Sequence, residues 1–185
     1  MDATTALAQT NDVMTSVIAR LTPEHREEST PCAEWNVHQV LEHVCQGSHM
    51  VAGALQQQAP PADGDSPDLM ANGPAEGWAN AHAALSSAAT AENLSGNREL
   101  PGLGTMPGEV AMSVIVADAL THAWDVAKGT GVDIEIPEEL AGWALATWQQ
   151  VVPAEGRGDG FADVVAVDDD APAVDRLAGW TGRRP

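Results

Sequence analysis

Two short segments carry the residue types that can do chemistry: Leu41-Glu42-His43-Val44 and Asp118-Ala119-Leu120-Thr121-His122-Ala123-Trp124-Asp125. Each lies in a stretch with helical periodicity. Asp118 and His122 stand at i, i+4, which stacks their side chains on one helix face about a turn apart. A histidine from a neighbouring helix, His43, completes a set of two imidazoles and one carboxylate that leaves coordination positions open. Such a set suits one divalent metal, with Zn²⁺ first and Ni²⁺ or Fe²⁺ as alternatives. A simpler reading stands beside it. Asp118 interrupts an apolar face between Ile115 and Leu120, where a buried carboxylate needs a partner, and a hydrogen bond to His122 would provide one without any metal. Asp125 continues the same face and is the candidate catalytic residue. It would act as a general base near the open positions, or as an acceptor fixing an imidazole tautomer, or it is a solvated residue near the helix end. His25, His38, His49 and His82 lack the pattern. Of these, His49 follows His43 on one helix and is an alternative base.

The elements that must position these residues are helical. Residues 3–21 place Leu7, Met14, Val17, Ile18 and Leu21 at helical spacing and stop at Thr22-Pro23. After a polar connection over 24–35, Asn36 reads as an N-cap with Gln39 three residues on, and a helix follows to about Gln57. Residues 58–73 are rich in Pro, Gly and Asp and predict a loop. Pro74 opens a third helix to about Ala91. The Gly- and Pro-rich stretch 98–108 predicts a long crossover. A fourth helix from Glu109 to Lys128, ended by Gly129, carries Asp118, His122 and Asp125. A fifth starts at Pro137 and ends at Pro153. The tail over 161–167 reads as a short strand or an extended segment, with a last helical turn or two over 173–178. The expectation is one all-α domain, 1–185, built as a helical bundle with long crossovers, an extra helix and a short extended C-terminal tail.

Composition narrows the function. The 185 residues are 44% apolar, enough for one full core. With 8 Lys and Arg against 27 Asp and Glu, the formal charge is −19. That surface repels phosphate backbones and anionic lipid, so neither a nucleic acid nor a membrane is expected as a partner. A small-molecule substrate is. No apolar run approaches the ~20 residues that span a bilayer, and the start lacks the basic and apolar regions of a signal peptide. A cytoplasmic location follows as an expectation, in which Cys32 and Cys45 stay reduced.

The residues are also familiar in order. Ser29-Thr30-Pro31-Cys32 and Trp35-Asn36-Val37, followed by Leu41-Glu42-His43-Val44, resemble the opening signature of an actinobacterial branch of the DinB-like superfamily. That branch is related to the mycothiol-dependent maleylpyruvate isomerase metal-binding N-terminal domain. Asp118 to Ala127 resembles its Asp-x-x-x-His-x-Trp-Asp element, and Gly182-Arg183-Arg184-Pro185 its closing Gly-Arg-x-Pro. The resemblance implies a four-helix bundle with one divalent metal held by His43, Asp118 and His122. Asp118 is a departure, since the family often has Glu or His there, and it bears on metal preference. The resemblance further implies a metal-dependent thiol transferase or isomerase, with mycothiol as co-substrate, acting on a small electrophile. A homodimer is expected on the resemblance alone. No isomerase-type second domain follows the closing motif, so maleylpyruvate isomerisation itself is not expected. Two alternatives stay open: a hydrolase or lyase using a metal-bound water, with Asp125 or His49 as base, and a non-enzymatic metal or ligand binder, with His49 or Cys45 closing a four-ligand site. Trp35 and Trp124 are either pocket walls or core.

Overall fold

The computed structural model describes residues 1–33, 35–59, 68–101, 104–155, 157 and 161–185. Among these residues the chain is mostly helical, with seven α-helices and one two-stranded antiparallel sheet. Helix α1 spans Ala3–Ile18, begun by the Asp2 carboxylate, which accepts from the Thr5 N–H at 2.8 Å. Helix α2 spans Val37–Leu55. Its start is the expected reciprocal cap: Asn36 accepts from Gln39 N–H at 2.9 Å, and the Gln39 side chain accepts from Asn36 N–H at 3.0 Å. Helix α3, Pro74–Ala88, opens with proline in its first turn. Helix α5, Gly108–Thr130, is the central element, and α6, Glu138–Val151, and α7, Ala173–Trp180, close the chain.

The helices bury their apolar faces on one another. Helix α5 packs against α1, α2 and α6; α2 also packs on α3, α1 on α3, and α6 on α7. Of the 23 residues of α5, 15 are buried, including the polar Thr121, His122 and Asp125. By length and composition alone α5 would also cross a membrane, which the expectation of no such run missed. Here 78% of its apolar stretch is buried inside the protein, the position of a core helix. Gly47 sets the distance between α2 and α5. A Cβ there would stand 3.0 Å from Ile115 Cδ1, so the missing side chain lets the two helices close one turn from His43.

Four local expectations change. The predicted third helix stops at Ala88, and Thr90 caps a separate short helix, α4 (Ala91–Ser95), by accepting from Asn93 N–H at 3.2 Å. The predicted crossover over 98–108 is largely a hairpin. Strand β1, Asn97–Leu100, pairs with β2, Gly104–Pro107, from Asn97 opposite Pro107 to Leu100 opposite Gly104. Pro101 follows β1 and Gly104, with φ of 81°, opens β2, while Arg98 and Leu100 alternate inward. Helix α5 does not end at Gly129; Gly131, with φ of 69°, is the left-handed residue that ends it. In the tail, the second of the two expected forms is found for residues 161–167, an extended segment. They run extended along α7, where Val165 N–H donates to Gly179 O at 2.9 Å. The first helix also ends earlier than expected, at Ile18. Of the predicted loop 58–73, residues 60–67 lie outside the described residues.

Candidate metal centre

Helix α5 presents Asp118, His122 and Asp125 along one face, and α2 brings His43 to them across the Gly47 contact. His43 Nε2 lies 3.4 Å from Asp118 Oδ2, and His122 Nε2 lies 3.5 Å from Asp118 Oδ1. Neither contact is a hydrogen bond at that length and alignment, and Asp118 Oδ2 has no hydrogen-bond partner among the described residues. A buried carboxylate oxygen without a donor is costly. Two donors of a tetrahedral metal site with bonds of ~2.0–2.1 Å stand about 3.3 Å apart, close to the spacings of these two contacts. One ligand atom from each of the three residues falls within 4.8 Å of the others. The side chains are 41% exposed at His43, 19% at Asp118 and 6% at His122, so the cluster opens toward solvent on its His43 side.

Behind His122 the arrangement is closed. Its Nδ1 lies 2.9 Å from Asp125 Oδ2, and the Asp125 side chain is 0% exposed. Arg183 grips the same carboxylate with two prongs, Nε to Oδ1 at 3.1 Å and Nη2 to Oδ2 at 2.8 Å. With Asp125 accepting at Nδ1, the lone pair of a neutral His122 sits on Nε2, the atom that faces Asp118. Burial disfavours charge on both aspartates, but their basic neighbours outweigh it. His122 and His43 hold the Asp118 carboxyl far below the usual range, and hydrogen bonds from His122 and Arg183 hold Asp125 low as well. Burial likewise works against a charged His122, and the two carboxylates overcome it, raising its pKa to about 9.

A turn that leaves at Ser29 and returns at Asn36, with residues 29–33 and 35–36 described, lies against this cluster. The Thr30 hydroxyl donates to Trp35 O at 2.9 Å and accepts from Cys32 N–H at 3.2 Å, while Trp35 N–H donates to Cys32 O at 3.1 Å. Gly129 makes room for it, since a Cβ there would approach Ser29 O within 2.7 Å. The turn sets the Trp35 ring 4.6 Å from the His43 ring and 5.9 Å from that of His122, centroid to centroid. Cys32 comes near enough to form a second donor group with His122 and Asp125. Burial raises the pKa of its thiol, with Arg183 partly offsetting that.

The structure thus brings together His43, Asp118, His122 and Asp125. Three neighbours, Cys32, Trp35 and Arg183, join them with no role foreseen for Cys32 or Arg183. Their only signal in the sequence was membership of the opening and closing motifs. The solvated place imagined for Asp125 is excluded by its burial, and both its oxygens are engaged. His49 is not part of the cluster. It sits about 9 Å further along α2 and lines a separate cavity of about 330 Å³ with Asp68, Asn72, Glu76 and Asn80. Cys45 is buried on the α3 side near Gly77, its thiol pushed by burial to about 11, and offers no fourth ligand. Both cysteines are free thiols. Trp124 is buried core with Lys128 Nζ 5.3 Å above its ring.

A family model described as the mycothiol maleylpyruvate isomerase N-terminal domain matches residues 7–127. The chain belongs to that family. The matched segment contains His43, Asp118, His122 and Asp125, along with Cys32 and Trp35, while Arg183 lies beyond it. Two uncharacterized proteins from Mycobacterium tuberculosis, of strains CDC 1551 / Oshkosh and ATCC 25618 / H37Rv, are each 33% identical over 186 residues. Those alignments cover 99% of this chain and 98% of each relative. No solved structure matches the chain. Membership in the mycothiol maleylpyruvate isomerase N-terminal domain family makes the chain mycothiol-related, and the donor groups around His122 are its candidate metal ligands.

Proposed function

We propose that His43, Asp118 and His122 hold one divalent metal, Zn²⁺ before Ni²⁺ or Fe²⁺, and that the protein is a thiol transferase or isomerase acting on a small electrophile. The observation that carries this reading is the Asp118 carboxylate set between two imidazoles, Oδ2 3.4 Å from His43 Nε2 and Oδ1 3.5 Å from His122 Nε2, with Oδ2 lacking a hydrogen-bond partner among the described residues and His122 Nδ1 backed by Asp125 at 2.9 Å. Three protein ligands leave open positions, the mark of a catalytic rather than a structural site. A divalent metal held by His43, Asp118 and His122 would lower the pKa of a low-molecular-weight thiol such as mycothiol, making a thiolate nucleophile available near neutral pH.

The chain's own residues do the rest. His43, half-exposed, marks the side on which thiol and electrophile enter. Trp35 covers the two imidazoles and shields them from water on its side. Asp125, tied to Arg183 and His122, has no free oxygen with which to take a substrate proton, so its role is to hold His122 rather than to act as a general base. The strongly negative surface favours a neutral or weakly charged electrophile. On this reading the chain is one DinB-like domain, 1–185, a four-helix bundle of α1, α2, α3 and α5 with appended elements, located in the cytoplasm and able to form a homodimer.

Calorimetric titration with mycothiol tests the proposal. Zinc-loaded protein is expected to bind the thiol saturably, and protein stripped of metal is expected not to. Equal binding by both forms, or by neither, contradicts a thiol-activating role.

A further inference from the structure

The closing Gly-Arg motif lies outside the segment matched by the family model, and the tail's last described turn runs back into the metal centre. Helix α7 ends in a Schellman-type turn. Arg183 N–H donates to Ala178 O at 2.8 Å and Gly182 N–H to Gly179 O at 3.1 Å, with Gly182 at φ of 85°. A side chain at 182 would be strained at that φ and would also approach Ala162 Cβ within 2.7 Å. The turn thereby aims the Arg183 side chain inward, where only 9% of it is exposed. Its Nη1 donates to Thr181 O at 2.7 Å, and its Nε and Nη2 clamp Asp125, 58 positions earlier in the chain.

From this geometry we infer that Arg183 is a positioning residue for the metal centre: the C-terminal tail holds the Asp125 carboxylate so that it fixes the His122 ring with Nδ1–H donated to Asp125 and Nε2 turned toward Asp118 and the ligand set. The inference rests on the metal reading above and deepens it. The physical need is plain. A wholly buried carboxylate with a single imidazole partner can rotate or take up a proton, and the orientation of the His122 ring would then be lost. The two-pronged guanidinium removes both freedoms, because it pairs each oxygen with a fixed donor and supplies the compensating charge. The chain's C-terminal residues therefore belong to the site as much as α2 and α5 do.

The test uses the full-length chain, Co²⁺ as probe, and the His122 Nδ1 proton followed by ¹H–¹⁵N NMR in metal-free protein. Wild type is expected to show an exchange-protected Nδ1 proton on His122. Arg183→Gln is expected to lose that protection, to bind Co²⁺ about 10–100-fold more weakly, and to shift the cobalt d–d spectrum, with Arg183→Lys recovering part of each loss. An Arg183→Gln protein with wild-type affinity, spectrum and Nδ1 proton overturns the inference. If Arg183→Gln does not fold, Arg183→Lys decides, and wild-type values in all three readouts overturn the need for a two-pronged clamp. If wild type takes up no Co²⁺ at all, the metal reading fails separately. The relay is then judged on the Nδ1 proton alone, where protection in both wild type and Arg183→Gln overturns it.

Discussion

His122 is the residue on which the site turns, because it faces Asp118 with one nitrogen and Asp125 with the other. His122→Ala is expected to abolish stoichiometric metal binding after dialysis, and a mutant that keeps its metal sinks the assignment. Asp118→Asn keeps the shape but removes the charge, so it should weaken metal binding at least tenfold while leaving the thermal transition in place. A collapsed transition would mean that Asp118 and His122 are a structural pair instead. Proton counting gives an independent check. The pKa of His122 lies near 9 in the metal-free protein, so at about pH 7 the ring is charged, and binding must expel the Nε2 proton. Affinity should therefore rise with pH up to about 9, and calorimetry in two buffers at about pH 7 should show roughly one proton released per metal. No release would contradict ligation by His122. The i, i+4 spacing made Asp118 and His122 legible, and the helical stripe made His43 so. Cys32, Trp35 and Arg183 carry no such signal, since a turn and a chain end reach the site only through tertiary folding.

At the scale of elements, the caps and close contacts decide whether the donors meet. The Asn36–Gln39 box fixes where α2 starts and hence where His43 points, and it was readable because both partners lie within one turn. Asn36→Ala is expected to cost about 1 kcal/mol of stability, measured by denaturant unfolding, and an unchanged midpoint would show the cap to be redundant. Gly47→Val should cost roughly 1–3 kcal/mol by overpacking against Ile115, and should weaken metal binding as α2 moves away from α5. Stability lost with affinity unchanged would show that the α2–α5 spacing does not set the site. The elements that escaped the sequence were those whose cues point two ways. Gly and Pro between residues 98 and 108 mark a hairpin turn as readily as a crossover. Gly129, which looks like a helix terminator, instead gives the 29–36 turn room on α5.

For the molecule as a whole, the site ties together parts of the chain that are far apart in sequence: α2, α5, the 29–36 turn and the C-terminal tail. Metal binding should therefore stabilise the entire fold. At a free metal concentration 100 times Kd, the gain is about 2.7 kcal/mol, a rise in Tm of roughly 5–10 °C for a chain of this size. Thermal scans with and without a chelator check this, and coincident scans would contradict a site formed only in the folded protein. The mostly helical character was readable from periodicity because α5 and its neighbours are long and regular, whereas the short β1–β2 hairpin was not. The surface charge of −19 is likewise plain in the composition, and it limits partners more than it shapes the fold.

The most direct measurement is elemental analysis of purified, tag-free protein beside His43→Ala and His122→Ala. About one Zn, Ni or Fe per chain, lost in both variants, is the result expected. Protein that carries no metal and takes up neither Zn²⁺ nor Ni²⁺ would contradict the central claim, leaving Asp118 and His122 as a buried pair with no ion between them.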